Sequence, residues 1–152
     1  DSTTWYLYNR PTSGINPSGL YLQTEDSGVT GWQPIKTITG TPSYWYTPEL
    51  SGTYSGGTWT FTLWTNSPGT SSNVRVELYK VNGDGSGATL LGSKVMDVNA
   101  SGTGNHETVY TYDVGDVSLT NQRIMVKIAK DSGVDPIMSF NTNDFPTRLV
   151  TP

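Results

Sequence analysis

Hydrophobic and polar residues alternate with a period of two along much of this chain, and no stretch of useful length carries a helical period. In Thr58-Trp59-Thr60-Phe61-Thr62-Leu63 the apolar residues Trp59, Phe61 and Leu63 fall on one face and the threonines on the other. The segment from Asn73 to Val81 sets Val74, Val76 and Leu78 against Arg75, Glu77 and Tyr79. The segment from Arg123 to Lys130 sets Ile124, Val126 and Ile128 against Arg123 and Lys127. These nine apolar residues are the expected core. Further strands are predicted at Trp5 to Asn9, Gly19 to Gln23, Trp45 to Pro48, Leu90 to Val98, His106 to Val114, Pro136 to Asn141 and Arg148 to Val150.

Turn residues separate these segments: Ser67-Pro68-Gly69, Asn82-Gly83-Asp84-Gly85, Ser101-Gly102-Thr103-Gly104 and Asp131-Ser132-Gly133. Regularly spaced strands with one polar face predict an all-β fold, an antiparallel two-sheet β-sandwich of jelly-roll-like form. No internal repeat or linker interrupts the pattern, so residues 1–152 are read as one β-sandwich domain. Halves of this chain would be too small to bury a good core, and with no cysteine there are no disulfides to staple them.

Composition narrows the function. Nine Lys and Arg are scattered without a basic run and the net charge is −4, which argues against a nucleic-acid partner, since clustered cations are needed to displace counterions from phosphates. No apolar stretch reaches membrane-spanning length, so no membrane partner is expected. Strand-like sequence begins almost at Asp1, which reads as a mature or excised fragment. The absence of cysteine, with abundant Thr, Ser, Gly and Tyr, has the character of a secreted, extracellular bacterial domain.

The aromatic residues change the picture most. Five Trp and nine Tyr stand in a chain that is only 14% charged. Consecutive rings in a strand point to opposite faces, so runs such as Tyr44-Trp45-Tyr46 cannot all enter one core. Flat rings in water are natural platforms for sugar rings. Trp64 has two readings: a platform on the threonine face beside Asn66, or a strand-end bulge turned back into the core. Trp45 and Tyr46 are read as a stacking wall, or as an edge strand whose outer rings cover their neighbours. Trp32, between Gly31 and Gln33-Pro34, either plugs one end of the fold or projects for binding. Trp5 is expected to anchor the terminal strand. Asn141-Thr142-Asn143-Asp144-Phe145-Pro146 followed by Arg148 is dense in planar hydrogen-bonding groups that match paired hydroxyls, with Asn143, Asp144 and Arg148 as ligand contacts. The same residues also serve as turn caps.

Catalytic and metal signals are thin. No cofactor is required by any motif, although Asp26, Asp131, Asp135 and Asp144 lie in loops where structural calcium could be held. The segment from Asn82 to Gly87 imitates the start of a calcium loop, but Ser93 stands where the closing carboxylate belongs, and a hairpin explains it fully. Asn99-Ala100-Ser101 fits a glycosylation acceptor. Glu25, Glu49, Glu77 and Glu107 have no apolar setting that would raise a carboxyl pKa for glycoside hydrolysis. A polysaccharide lyase would have to draw on His106, Tyr110, Tyr112 and Arg123. The expectation is therefore a protein without catalytic activity.

The segments Gly57-Thr58-Trp59-Thr60-Phe61-Thr62-Leu63-Trp64 and Val76-Glu77-Leu78-Tyr79-Lys80-Val81, with the turn composition and surplus indoles, resemble a carbohydrate-binding module of a secreted bacterial polysaccharide-degrading enzyme. The chain is also similar to modules attached to xanthan-degrading enzymes, which bind substituted β-glucans. The resemblance implies a polysaccharide ligand and an attached catalytic domain in a larger parent chain. It assigns no residue by position. A structural or adhesion domain without a sugar ligand is the competing expectation, and it requires Trp32, Trp45 and Trp64 all to be buried.

Overall fold

A computed structural model describes residues 2–32, 34–67, 70–99 and 104–152. It contains twelve strands: β1 (Thr3–Pro11), β2 (Leu20–Gln23), β3 (Pro34–Thr37), β4 (Ser43–Tyr46), β5 (Leu50–Tyr54), β6 (Gly57–Ser67), β7 (Ser72–Asn82), β8 (Thr89–Asp97), β9 (Gly104–Val114), β10 (Val117–Gly133), β11 (Ile137–Ser139) and β12 (Arg148–Thr151). All the strands expected from alternation are present. β3 and β5 were not legible. β3 opens on a proline and sits at the end of the sheet, where a missing N–H is tolerated. β5 is mostly polar and exposed, and it is held by pairing with β10.

The strands form one hydrogen-bonded path, β3-β11-β6-β12-β1-β2-β4-β10-β7-β8, with β9 added to β6 and β5 to β10. The expected all-β class holds, but the sheet is mixed and open. β2 and β4 run parallel, because the intervening β3 leaves to pair with β11. β10 is longer than the alternation predicts. Its first half pairs with β5, and a register shift between Leu119 and Gln122, with Asn121 at φ 50°, carries it on to β4 and β7.

β9, paired to β6, lies across the main apolar interior from β7. The hydroxyls of Tyr110 and Tyr112 on β9 donate to the carbonyls of Val74 (2.9 Å) and Val76 (2.8 Å) on β7. Trp59, Phe61, Leu63, Val74, Val76, Leu78, Ile124, Val126 and Ile128 all lie in this interior, as the period-two pattern predicts. Trp5 is buried there too. A second, smaller cluster lies on the other face of the β2-β4-β10-β7 region. It joins Tyr46, Val81 and Met125 under Ile15, with Tyr21, Tyr44 and Tyr79 packed against it. The Asn82 to Gly87 hairpin forms as expected, with Gly85 N–H donating to Asn82 O (2.9 Å) and Asp84 accepting from Ser86. Pro68, Gly69 and the 101–103 turn lie outside the described residues.

Burial of phenols makes the fold alkali-sensitive. Burial, with Tyr44 adding repulsion, pushes the Tyr46 hydroxyl up to about 12. Burial likewise raises Tyr110 and Tyr112. Raised folded pKa values stabilise the protein fully below the unfolded phenol value of about 10. That contribution is lost as pH rises through the folded values. Urea titrations are expected to show a midpoint that begins to fall above about pH 10, with phenolate absorbance from these three tyrosines appearing only on unfolding.

Candidate functional site

The seven residues proposed as ligand contacts separate into two groups. Trp45 and Tyr46 are fully buried, which removes them as a surface stacking wall. Alternation in β4 explains this. Trp45 turns into the main interior, where its ring meets Phe140 edge-on at 5.3 Å and its Nε1 donates to Tyr8 O at 3.3 Å. Tyr46 turns to the opposite face, where the loop before β2 covers it and Pro17 O accepts its hydroxyl at 2.6 Å. The face that sequence logic assigned to solvent is occupied by a second apolar cluster.

Trp32, Trp64, Asn143, Asp144 and Arg148 come together. The segments 27–32 and 141–145 are stitched along their backbones. Ser27 Oγ donates to Asn141 O (2.8 Å), Asn143 N–H to Val29 O (2.7 Å) and Thr142 Oγ1 to Gly31 O (2.6 Å). Asn141 enters the turn at φ 61°, a conformation that Asn tolerates better than most residues. Gly31, at φ 80°, presents its N–H to the Asp144 carboxylate at 2.5 Å. A side chain at Gly31 would be strained in that conformation.

This stitching places Phe145 between two indoles. Trp32 and Trp64 each meet its ring edge-on at 5.3 Å, with interplanar angles of 75° and 78°. Both indoles are half-buried. Trp64 continues β6 on its threonine face, directly opposite Glu107 of β9, so it is the outward residue that alternation predicts. Its backbone N–H donates to Thr147 Oγ1 (3.1 Å), and Thr147 Oγ1 in turn donates to Ser139 O (2.5 Å). Thr147 therefore fixes the strand under the ring. The indole Nε1 of Trp64 is buried without a hydrogen-bond partner among the described residues.

A polar stripe continues from the rings. Register places Thr62, Arg148, Tyr6 and Gln23 side by side on β6, β12, β1 and β2. At roughly 4.8 Å per strand the row runs about 14 Å. Arg148 donates to Pro146 O (2.9 Å) and forms no ion pair among the described residues, which leaves guanidinium donors free. The Asn143 side chain is exposed.

The remaining candidates are engaged elsewhere. Asp131 pairs with Arg75 (2.6 Å) and Asp135 with Lys130 (2.5 Å), while Asp26 accepts from Gly28 N–H (3.2 Å). No three His, Cys, Asp or Glu side chains converge on a metal-sized site among the described residues. The ring nitrogens of His106 lie against the carbonyls of Gly104 and Val98, and the hydroxyls of Tyr110 and Tyr112 are committed to β7. Asn99 is buried, with its amide donating to Thr70 O and Ser72 Oγ, while Ala100 and Ser101 lie outside the described residues. Phe145, the hinge of the site, was not among the sequence candidates. Its signal was an apolar ring set alone in a polar loop before Pro146.

No family model matches the chain, and no curated protein does. Solved structures share its fold. A CocE/NonD family hydrolase from Staphylococcus aureus overlays with a TM-score of 0.72 at 7% identity, covering 100% of this chain and 36% of that one. An aminopeptidase from a marine sediment archaeon, Thaumarchaeota archaeon, overlays at 0.63 with 12% identity, covering 99% and 36%. An α-amino acid ester hydrolase overlays at 0.54 with 12% identity, covering 98% and 33%. The chain thus spans about a third of the length of each of these larger hydrolases. At such identities the likeness concerns the fold.

Proposed function

We propose that this chain is a non-catalytic, jelly-roll-like β-sandwich domain that adsorbs to a polysaccharide, with substituted β-glucans such as xanthan the first class to test. The observation that carries the reading is the ring triad: two half-buried indoles flank Phe145 beside the free donors of Arg148. The indole faces would stack on pyranose rings, and Arg148 and Asn143 would take hydroxyls or carboxylates. Asp144 would act by holding Gly31, and with it Trp32, in place. With this role go an extracellular, secreted location and attachment to a catalytic domain in a longer parent chain, where binding raises the local concentration of substrate.

Native-gel affinity electrophoresis with separate polysaccharides tests the reading. Retardation by one polymer but not by the others is expected. A second reading, a structural domain of a larger hydrolase, draws on the shared fold of the hydrolase neighbours. It predicts no retardation by any polymer.

A further inference from the structure

A concavity opens on the outer face at the far end of the stripe, where Gln23 belongs to both. Arg10, Tyr21, Gln23, Pro48, Glu49 and Arg123 line a groove of about 470 Å³. Its two guanidiniums differ in kind. Arg123 is largely buried and held in position: Nε donates to Gly83 O at 2.8 Å and Nη1 to Thr47 O at 3.0 Å. Its Nη2 is 3.7 Å from Glu49 Oε1, too far for a hydrogen bond, so that nitrogen keeps its donors. Arg10 is exposed and lies over the Tyr21 ring, 5.4 Å from its centroid. It has no hydrogen bond or ion pair among the described residues. The groove therefore offers two cations against one carboxylate, with an aromatic wall and the Gln23 amide between them.

We propose that this groove is a subsite for a carboxylate-bearing sugar residue. The carboxylate would sit between Arg10 and Arg123, where planar forks match its geometry. The pyranose would meet the open edge of the Tyr21 ring, whose face Arg10 covers, and Gln23 would reach its hydroxyls. Arg123 supplies a fixed donor, so little ordering is needed on one side of the ligand. Arg10 closes from the other side and is the specificity-determining cation. A neutral sugar would leave Arg10 without a counter-charge, since Glu49 is the one carboxylate among the described residues lining the groove and lies 3.7 Å from Arg123. This inference stands apart from the indole site, since it shares no residue with the ring triad.

The test is amide-resolved NMR titration of the whole chain with D-glucuronate, D-glucose and inorganic sulfate as probes. Glucuronate is expected to give saturable shifts at Tyr21 and Gln23, with glucose giving none. Arg10→Gln, an exposed position whose loss leaves the interior untouched, should weaken glucuronate binding about tenfold or more. Arg10→Lys should retain part of the affinity. Shifts that are equal with glucose, absent with glucuronate, or unchanged in Arg10→Gln would overturn the proposal. Sulfate binding as tightly as glucuronate would overturn the sugar-specific part of it and leave a simple anion site. Because the readout is local to β2, failure here is distinguishable from failure of polymer retardation at the indoles.

Discussion

Trp45→Ala is expected to lower the unfolding free energy by about 3–5 kcal/mol, the range for truncating a large buried ring. The side chain is fully buried, meets Phe140 edge-on at 5.3 Å and donates its indole N–H to Tyr8 O. Its removal leaves a cavity at the centre of the interior and an unpaired carbonyl on β1. Urea denaturation followed by tyrosine and residual tryptophan fluorescence measures the change. Trp45→Phe should recover a large part of the loss by refilling the volume without restoring the hydrogen bond. If Trp45→Ala left stability within about 1 kcal/mol of the parent, this account of β4 would be wrong. Any loss of polymer binding in Trp45→Ala should track the unfolded fraction, since the ring is inaccessible.

Phe145→Ala is expected to produce the largest binding defect. Each aromatic edge contact contributes about 0.5–1.5 kcal/mol, and Phe145 makes two. Without it both indoles lose their orientation at once. Retardation by the cognate polymer should weaken about tenfold or more, since about 1.4 kcal/mol corresponds to one decade. Trp32→Ala and Trp64→Ala should each weaken it by a smaller factor, and double variants with Phe145→Ala should fall short of additivity because the rings act together. Val95→Ala, at an exposed position on β8, serves as the control and should bind normally. Equal retardation in all three ring variants would remove the triad from the proposed function.

The period-two pattern carried most of the fold because burial on one face of a strand is a local property. Trp59, Phe61 and Leu63 announce their shared face within six residues. What alternation does not carry is which strand lies beside which, and this is why the parallel β2–β4 pair was not foreseen. It also treats the second face of every strand as wet. Tyr46 and Met125 lie on such a face, and it is dry only because the loop bearing Ile15 folds over it. The same blind spot misjudged Tyr46, whereas Trp45 is buried on the inner face of β4, in the main interior. Trp64 keeps the outward side that alternation gives it, and the loop bearing Phe145 covers it only in part. Phe145 and Trp32 are far apart in sequence, and their meeting depends on two loops in which Ser27, Thr142 and Asp144 each bond a backbone group of the other loop, a pairing that neither segment announces by itself. Arg10 and Tyr21 were hidden similarly, since a groove is a property of spacing between strands rather than of either segment.

The first and last strands are neighbours. β12 lies between β1 and β6, with Thr3 opposite Thr151 and Thr62 opposite Arg148. A nascent chain emerging from the ribosome therefore makes β1 and β6 long before the segment that joins them exists. Until residues 148–151 are released, both strands carry an unpaired edge of the kind that invites pairing with other chains. The final closure also brings together the two most distant parts of the sequence, a slow step in any topology dominated by long-range pairing. The fold thus closes only once residues 148–151 have been made, and those four residues decide whether the facing edges of β1 and β6 are paired within the same molecule.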